Sequence, residues 1–126
     1  MNESGLRDRL KKELAKTGWY YQKISDRFTA GIPDFILCVN GRFVCIELKV
    51  DDRKMTPLQN HIKDQIEFNK GLYLCITYKN QFKVLEVECL QKRCVYIGIA
   101  EVITMIRSLC EGQSQSWGLS NTQTGV

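Results

Sequence analysis

The stretch Gly31–Val50, GIPDFILCVNGRFVCIELKV, decides how this chain folds. Two apolar runs, DFILCV and RFVCIELKV, flank a single Asn40-Gly41. Asn-Gly between apolar runs is a strong signal for a two-residue hairpin turn, because both turn positions need positive φ. Around such a turn, opposed residues have numbers summing to 81, so Val39 faces Arg42, Leu37 faces Val44 and Phe35 faces Ile46. One step farther out, Asp34 lies opposite Glu47 on a non-hydrogen-bonded pair, with Cβ atoms expected roughly 4.5–5.5 Å apart. Lys49, two residues beyond Glu47, points to the same face. One bulge would break this register.

Two opposed carboxylates repel, so a cation should compensate them. Oxygen-liganded Mg²⁺ or Mn²⁺ would do so, where Lys49 alone neutralises only part of the charge. The plain alternative is a frayed hairpin end with both acids in water. CIELKV, however, embeds Glu47 and Lys49 among apolar neighbours, which favours a site. Such a trio suits phosphodiester hydrolysis, in which an ion polarises the phosphate and activates a water. A lysine beside it can orient that water or stabilise the charge of the pentacovalent state.

Outward from the hairpin, Leu6, Leu10 and Leu14 form the stripe of an amphipathic helix from Glu3 to about Thr17, stopped by Gly18. WYYQKI reads as a strand, and Pro33 introduces the first run of the hairpin. TPLQNHIKDQIEFNKG opens a second helix, with Thr56 as N-cap, Pro57 as its first residue and Gly71 as its stop. LYLCITY and FKVLEVECL are strands, and GIAEVITMIRSLC is a last helix. The order α-β-β-β-α-β-β-α gives an α/β to α+β fold, a mixed sheet flanked by helices. One domain over residues 1–111 is expected, with a flexible polar tail over 112–126.

The 126 residues are 44% hydrophobic and 25% charged, as in a soluble globular protein. No apolar run approaches the roughly 18 residues needed to cross a bilayer, and the N-terminus lacks a signal h-region, so a cytoplasmic location is expected. Net charge of +4 is compatible with a polyanion partner without demanding one. The six cysteines form no CxxC pair and accompany a single histidine, so they are expected to be small buried hydrophobes rather than a zinc site. Trp19, Tyr20 and Tyr21 could stack on nucleic acid but are expected in the core, His61 is expected to be a surface or packing residue, and Asp51 and Asp52 are expected to be loop acids.

The motifs IPD (Ile32 to Asp34) and ELK (Glu47 to Lys49) resemble those of PD-(D/E)XK nucleases. More narrowly, a glutamate early in the first helix, GIPD, ELK after an Asn-Gly turn and a helix opening with TPLQ are similar to the virus-type replication-repair nuclease (VRR-NUC) family. This resemblance covers about residues 3–80. It implies a restriction-endonuclease-like core with Asp34, Glu47 and the Leu48 main-chain carbonyl as ligands of Mg²⁺ or Mn²⁺. Lys49 would be the catalytic lysine. The helix glutamate maps to Glu3, acting on the metal through water, with Glu13 in reserve; Glu3 lies closer to the centre of the leucine stripe. Gln59 would serve the catalytic site, in competition with its place in a capping box.

The resemblance further implies a small phage-type nuclease in the bacterial host's cytoplasm, acting as a homodimer on branched DNA such as four-way (Holliday) junctions. Lys11, Lys12, Arg27, Lys54 and Lys63 are the expected phosphate contacts. Val102, Ile103 and Ile106, or the last hairpin, are candidates for the dimer interface, with core packing as the alternative. Other readings are a restriction-like nuclease or exonuclease on linear duplex or single strands, and an inactive DNA-binding module.

Overall fold

The computed structural model describes residues 1–24 and 30–123, with side chains described as far as Glu111. Nine elements follow one another: α1 (Glu3–Leu14), β1 (Tyr20–Lys23), β2 (Phe35–Val39), β3 (Arg42–Val50), α2 (Pro57–Phe68), β4 (Leu72–Lys79), β5 (Val84–Cys89), β6 (Lys92–Tyr96) and α3 (Ile99–Gln123). The six strands form one sheet in sequential order. All neighbours are antiparallel except β3 and β4, which run parallel because α2 carries the chain back across the sheet.

The hairpin register is the one the Asn-Gly turn dictates, with rungs from Val39↔Arg42 to Phe35↔Ile46. Asn40 and Gly41 both take positive φ, 50° and 82°. Alternation then sorts the strands. Phe35, Leu37, Val44, Ile46, Leu48, Leu72, Leu74, Ile76, Leu85 and Val87 turn to one face, where Leu6, Leu10 and Leu14 of α1 and Val102, Ile103 and Ile106 of α3 complete the core. The opposite face carries Cys45, Glu47, Lys49 and Tyr73 and is partly covered by α2. Val102, Ile103 and Ile106 are therefore core residues, and they offer no exposed surface for a dimer interface.

Other departures from the sequence reading have local causes. α1 ends at Leu14, where the Thr17 hydroxyl donates to the Leu14 carbonyl at 2.7 Å. β6 is an additional strand, joined to β5 through Leu90 and Gln91, both at positive φ (51° and 64°). α3 continues as helix past Gly112, where the sequence reading began its tail, and is described to Gln123. Cys38 and Cys94 are exposed; Cys45, Cys89 and Cys110 are buried as expected. On the edge strand, Tyr20 is 61% exposed while Tyr21 packs against the core. His61 is exposed. Among the described residues, no helix is long and apolar enough to cross a membrane.

Candidate active site at the open end of the hairpin

Asp34 stands one residue beyond the last rung of the hairpin. There its side chain replaces a backbone acceptor: Oδ2 accepts the Leu48 N–H at 2.7 Å. A strand residue projects its N–H and C=O to the same side, so the Leu48 carbonyl faces the same edge as Asp34. Both proposed carboxylates and the carbonyl thus meet where β2 stops and β3 continues.

Glu47 is only 4% exposed and Lys49 8%, although both are charged residues. Their burial follows from β3 being an interior strand, flanked by β2 and β4. Lys49 Nζ lies 3.7 Å from Glu47 Oε1. The same oxygen accepts from Gln59 Nε2 at 2.9 Å. Glu47 Oε2 is buried without a partner. Burial pushes the Glu47 carboxyl up to about 7; Asp34 repulsion adds to this, Lys49 opposes it and Glu3 adds a further upward push.

Gln59 resolves a choice that the sequence posed as exclusive. Its carbonyl oxygen accepts the Thr56 N–H at 2.9 Å while the Gln59 N–H donates to Thr56 Oγ1 at 3.1 Å, a complete capping box. Its amide NH₂ meanwhile reaches Glu47. A side-chain amide has an acceptor end and a donor end, so one residue both starts the helix and holds the carboxylate. Thr56→Ala is expected to cost about 1 kcal/mol of stability through the lost cap, with Mn²⁺ affinity unchanged. Gln59→Leu should weaken Mn²⁺ binding as well. Thermal unfolding and Mn²⁺ titration of both variants check this, and equal losses of affinity would sink the division of labour.

Glu3, in the first turn of α1, is close enough to raise the Glu47 carboxyl, and its Oε1 sits 3.2 Å from Arg53 Nη1. Glu13 is turned to Lys16 at 3.1 Å. Of the two helix acids, Glu3 is the one near Glu47. Asp51 is not aimed at an ion; its carboxylate accepts from the Asn80 backbone at 2.8 Å and side chain at 3.1 Å. Lys11, Lys12 and Lys54 are exposed. Lys63 is 9% exposed with Nζ 2.9 Å from Glu67, so it is not presented to a phosphate; the i, i+4 spacing within α2 made that pair. Arg27 lies outside the described residues. Nothing in the sequence points to Arg53, because fifty residues separate it from its partner Glu3.

Among the described residues, no three His, Cys, Asp or Glu side chains are grouped so as to hold a metal ion. The hard oxygens at this end of the hairpin are those of Asp34 and Glu47 and, by strand geometry, the Leu48 carbonyl, while Glu3 nearby pairs with Arg53. These hard oxygen donors fit Mg²⁺ or Mn²⁺, and the unpartnered buried Glu47 Oε2 is an acceptor that such a cation would satisfy.

A six-stranded mixed sheet flanked by helices, with a hairpin feeding a parallel crossover, is a restriction-endonuclease-like fold. Among solved structures the chain is similar to Hjc of Archaeoglobus fulgidus, a Holliday junction resolvase from an archaeal hyperthermophile. The TM-score is 0.55 and the identity 13%, over 79% of this chain and 98% of that one. The chain matches no family model and no curated protein sequence, so the VRR-NUC resemblance gains no support from a family match.

Proposed function

We propose that this chain is a Mg²⁺- or Mn²⁺-dependent endonuclease that hydrolyses phosphodiester bonds in branched DNA, four-way junctions in particular, as a VRR-NUC-like homodimer. The observation that carries the reading is the buried Glu47 carboxylate, flanked by Asp34, Lys49 and Gln59, with one oxygen left without a partner. The fold it shares with a junction resolvase supports the choice of substrate.

Asp34, Glu47 and the Leu48 carbonyl would hold the ion. When bound, the ion supplies polarisation of the phosphate and acidification of a water. Lys49 brings a buried ammonium next to the carboxylates, placed to stabilise negative charge developing on the phosphate. Gln59 fixes the orientation of Glu47 through Oε1. Arg53, Lys54, Lys11 and Lys12 are exposed cations on α1 and on the loop after β3, and they would hold backbone phosphates. A domain this small reads DNA shape through such contacts rather than base sequence.

The test is a cleavage panel of four-way junction, flap and linear duplex with Mg²⁺ or Mn²⁺ at several salt concentrations. Junction should be cut about tenfold or more faster than linear duplex, a margin of about 1.4 kcal/mol in the barrier. Equal rates would replace the junction reading with a restriction-like one. No cleavage of any substrate would leave only a binding module.

A further inference from the structure

Two buried polar atoms near the site have no hydrogen-bond partner: Glu47 Oε2 and the Tyr73 hydroxyl. One can only accept, when ionised, and the other can donate. Tyr73 is fully buried on β4, on the sheet face that carries Glu47. Tyr73 pairs with Cys45 and Glu47 pairs with Cys75, so the two side chains are diagonal neighbours on adjacent strands. Diagonal neighbours are within reach of an aromatic side chain. Of the groups whose charge acts on the Tyr73 hydroxyl, Glu47 acts most strongly.

The other orphaned atoms do not compete. Glu67 Oε2 is a second orphaned acceptor, but Glu67 is not among the leading charges that act on the Tyr73 hydroxyl, whereas Glu47 heads them; Arg7 belongs to α1, which packs on the opposite face of the sheet. Tyr73 therefore carries the one orphaned hydroxyl among the described residues. Buried polar groups are almost always paired with protein or ordered water, and these two do not bond directly to each other.

We propose that Tyr73 is a positioning residue for Glu47, donating to Oε2 through one shared water and so fixing the carboxylate in the orientation that receives a divalent ion. The proposal rests on the reading of Glu47 as an ion ligand. Gln59 of α2 engages Oε1, and Tyr73 of the neighbouring strand would engage Oε2 through the water. Groups that orient ligating carboxylates commonly change metal affinity 10- to 100-fold when removed.

The experiment uses the full chain, with Mn²⁺ alone as the probe. Tyr73→Phe, which retains the ring, should bind Mn²⁺ about tenfold more weakly by calorimetry while keeping the parental circular dichroism. Tyr78→Phe, on the other face of β4, should bind as the parent does. Parental affinity in folded Tyr73→Phe overturns the proposal and leaves the metal reading standing. A parent that does not bind Mn²⁺ overturns the metal reading and the proposal with it. Should Tyr73→Phe fail to fold, a high-resolution crystal structure of the parent decides: a water within hydrogen-bonding distance of both Tyr73 Oη and Glu47 Oε2 supports the proposal, and its absence overturns it.

Discussion

Lys49→Ala is expected to reduce metal-dependent DNA cleavage by about 100- to 1,000-fold, the scale seen when one preorganised charge-stabilising group is removed. Its ammonium is 3.7 Å from Glu47 and almost wholly buried, and a water entering the space left by truncation would carry no positive charge. DNA binding should change little, because Lys49 is not on the exposed surface. Asp34→Ala should lose cleavage to a similar degree for another reason: it removes an expected ligand and leaves the Leu48 N–H without its acceptor. Cleavage of a junction by parent and variants at equal DNA occupancy is the measurement. Parental rates in both variants would refute the assignment of the site.

Glu47→Gln should separate stability from function. In the metal-free protein the Glu47 carboxyl is raised from the usual 4.5 to about 7, first by burial and then by Asp34. The folded state therefore holds the proton more tightly than the unfolded state. Its contribution to stability is complete below the unfolded value and is lost as pH rises through about 7. With chelator present, the parent should lose thermal stability between these limits, and Glu47→Gln should show a smaller loss and be more stable than the parent at pH 8. Added Mn²⁺ should stabilise the parent at pH 8 and leave the variant unmoved, because ligands stabilise only the state that binds them. Calorimetric scans with and without Mn²⁺ give both results. A variant whose melting follows pH and Mn²⁺ as the parent's does would contradict this account.

The hairpin was legible because its turn chemistry and its alternation agree: Asn-Gly sets the register, and that register places Asp34, Glu47 and Lys49 together. The Thr56-Pro57 start of α2 was legible for the same reason, since cap and first residue are local features. What escaped the sequence was non-local or unadvertised. β6 follows a turn whose positive-φ residues are Leu90 and Gln91, neither of which signals a turn. Lys63 reads as a surface lysine until Glu67, one turn on, draws it inward. Exposed Cys38 and Cys94 sit in strands whose patterns look buried, because a strand does not declare whether anything covers its face. Glu3 with Arg53, and Glu47 with Tyr73, are neighbours only once the sheet has formed.

The position of β3 has a consequence for how the site fluctuates. Bonded to β2 on one side and to β4 along Val44–Val50 on the other, it cannot fray as an edge strand can. Local opening events are confined to elements with few buried contacts and exposed backbone hydrogen bonds. Ile46, Glu47, Leu48 and Lys49 are all buried, so their amides are expected to exchange slowly with solvent, with Leu48, bonded to the Asp34 side chain beyond the last β2 rung, the fastest of the four. The spacing between Glu47 and Lys49 is accordingly fixed by the middle of the sheet, and local motion beside the site is expected in the exposed loop after β3 rather than in α1, whose leucines are locked in the core.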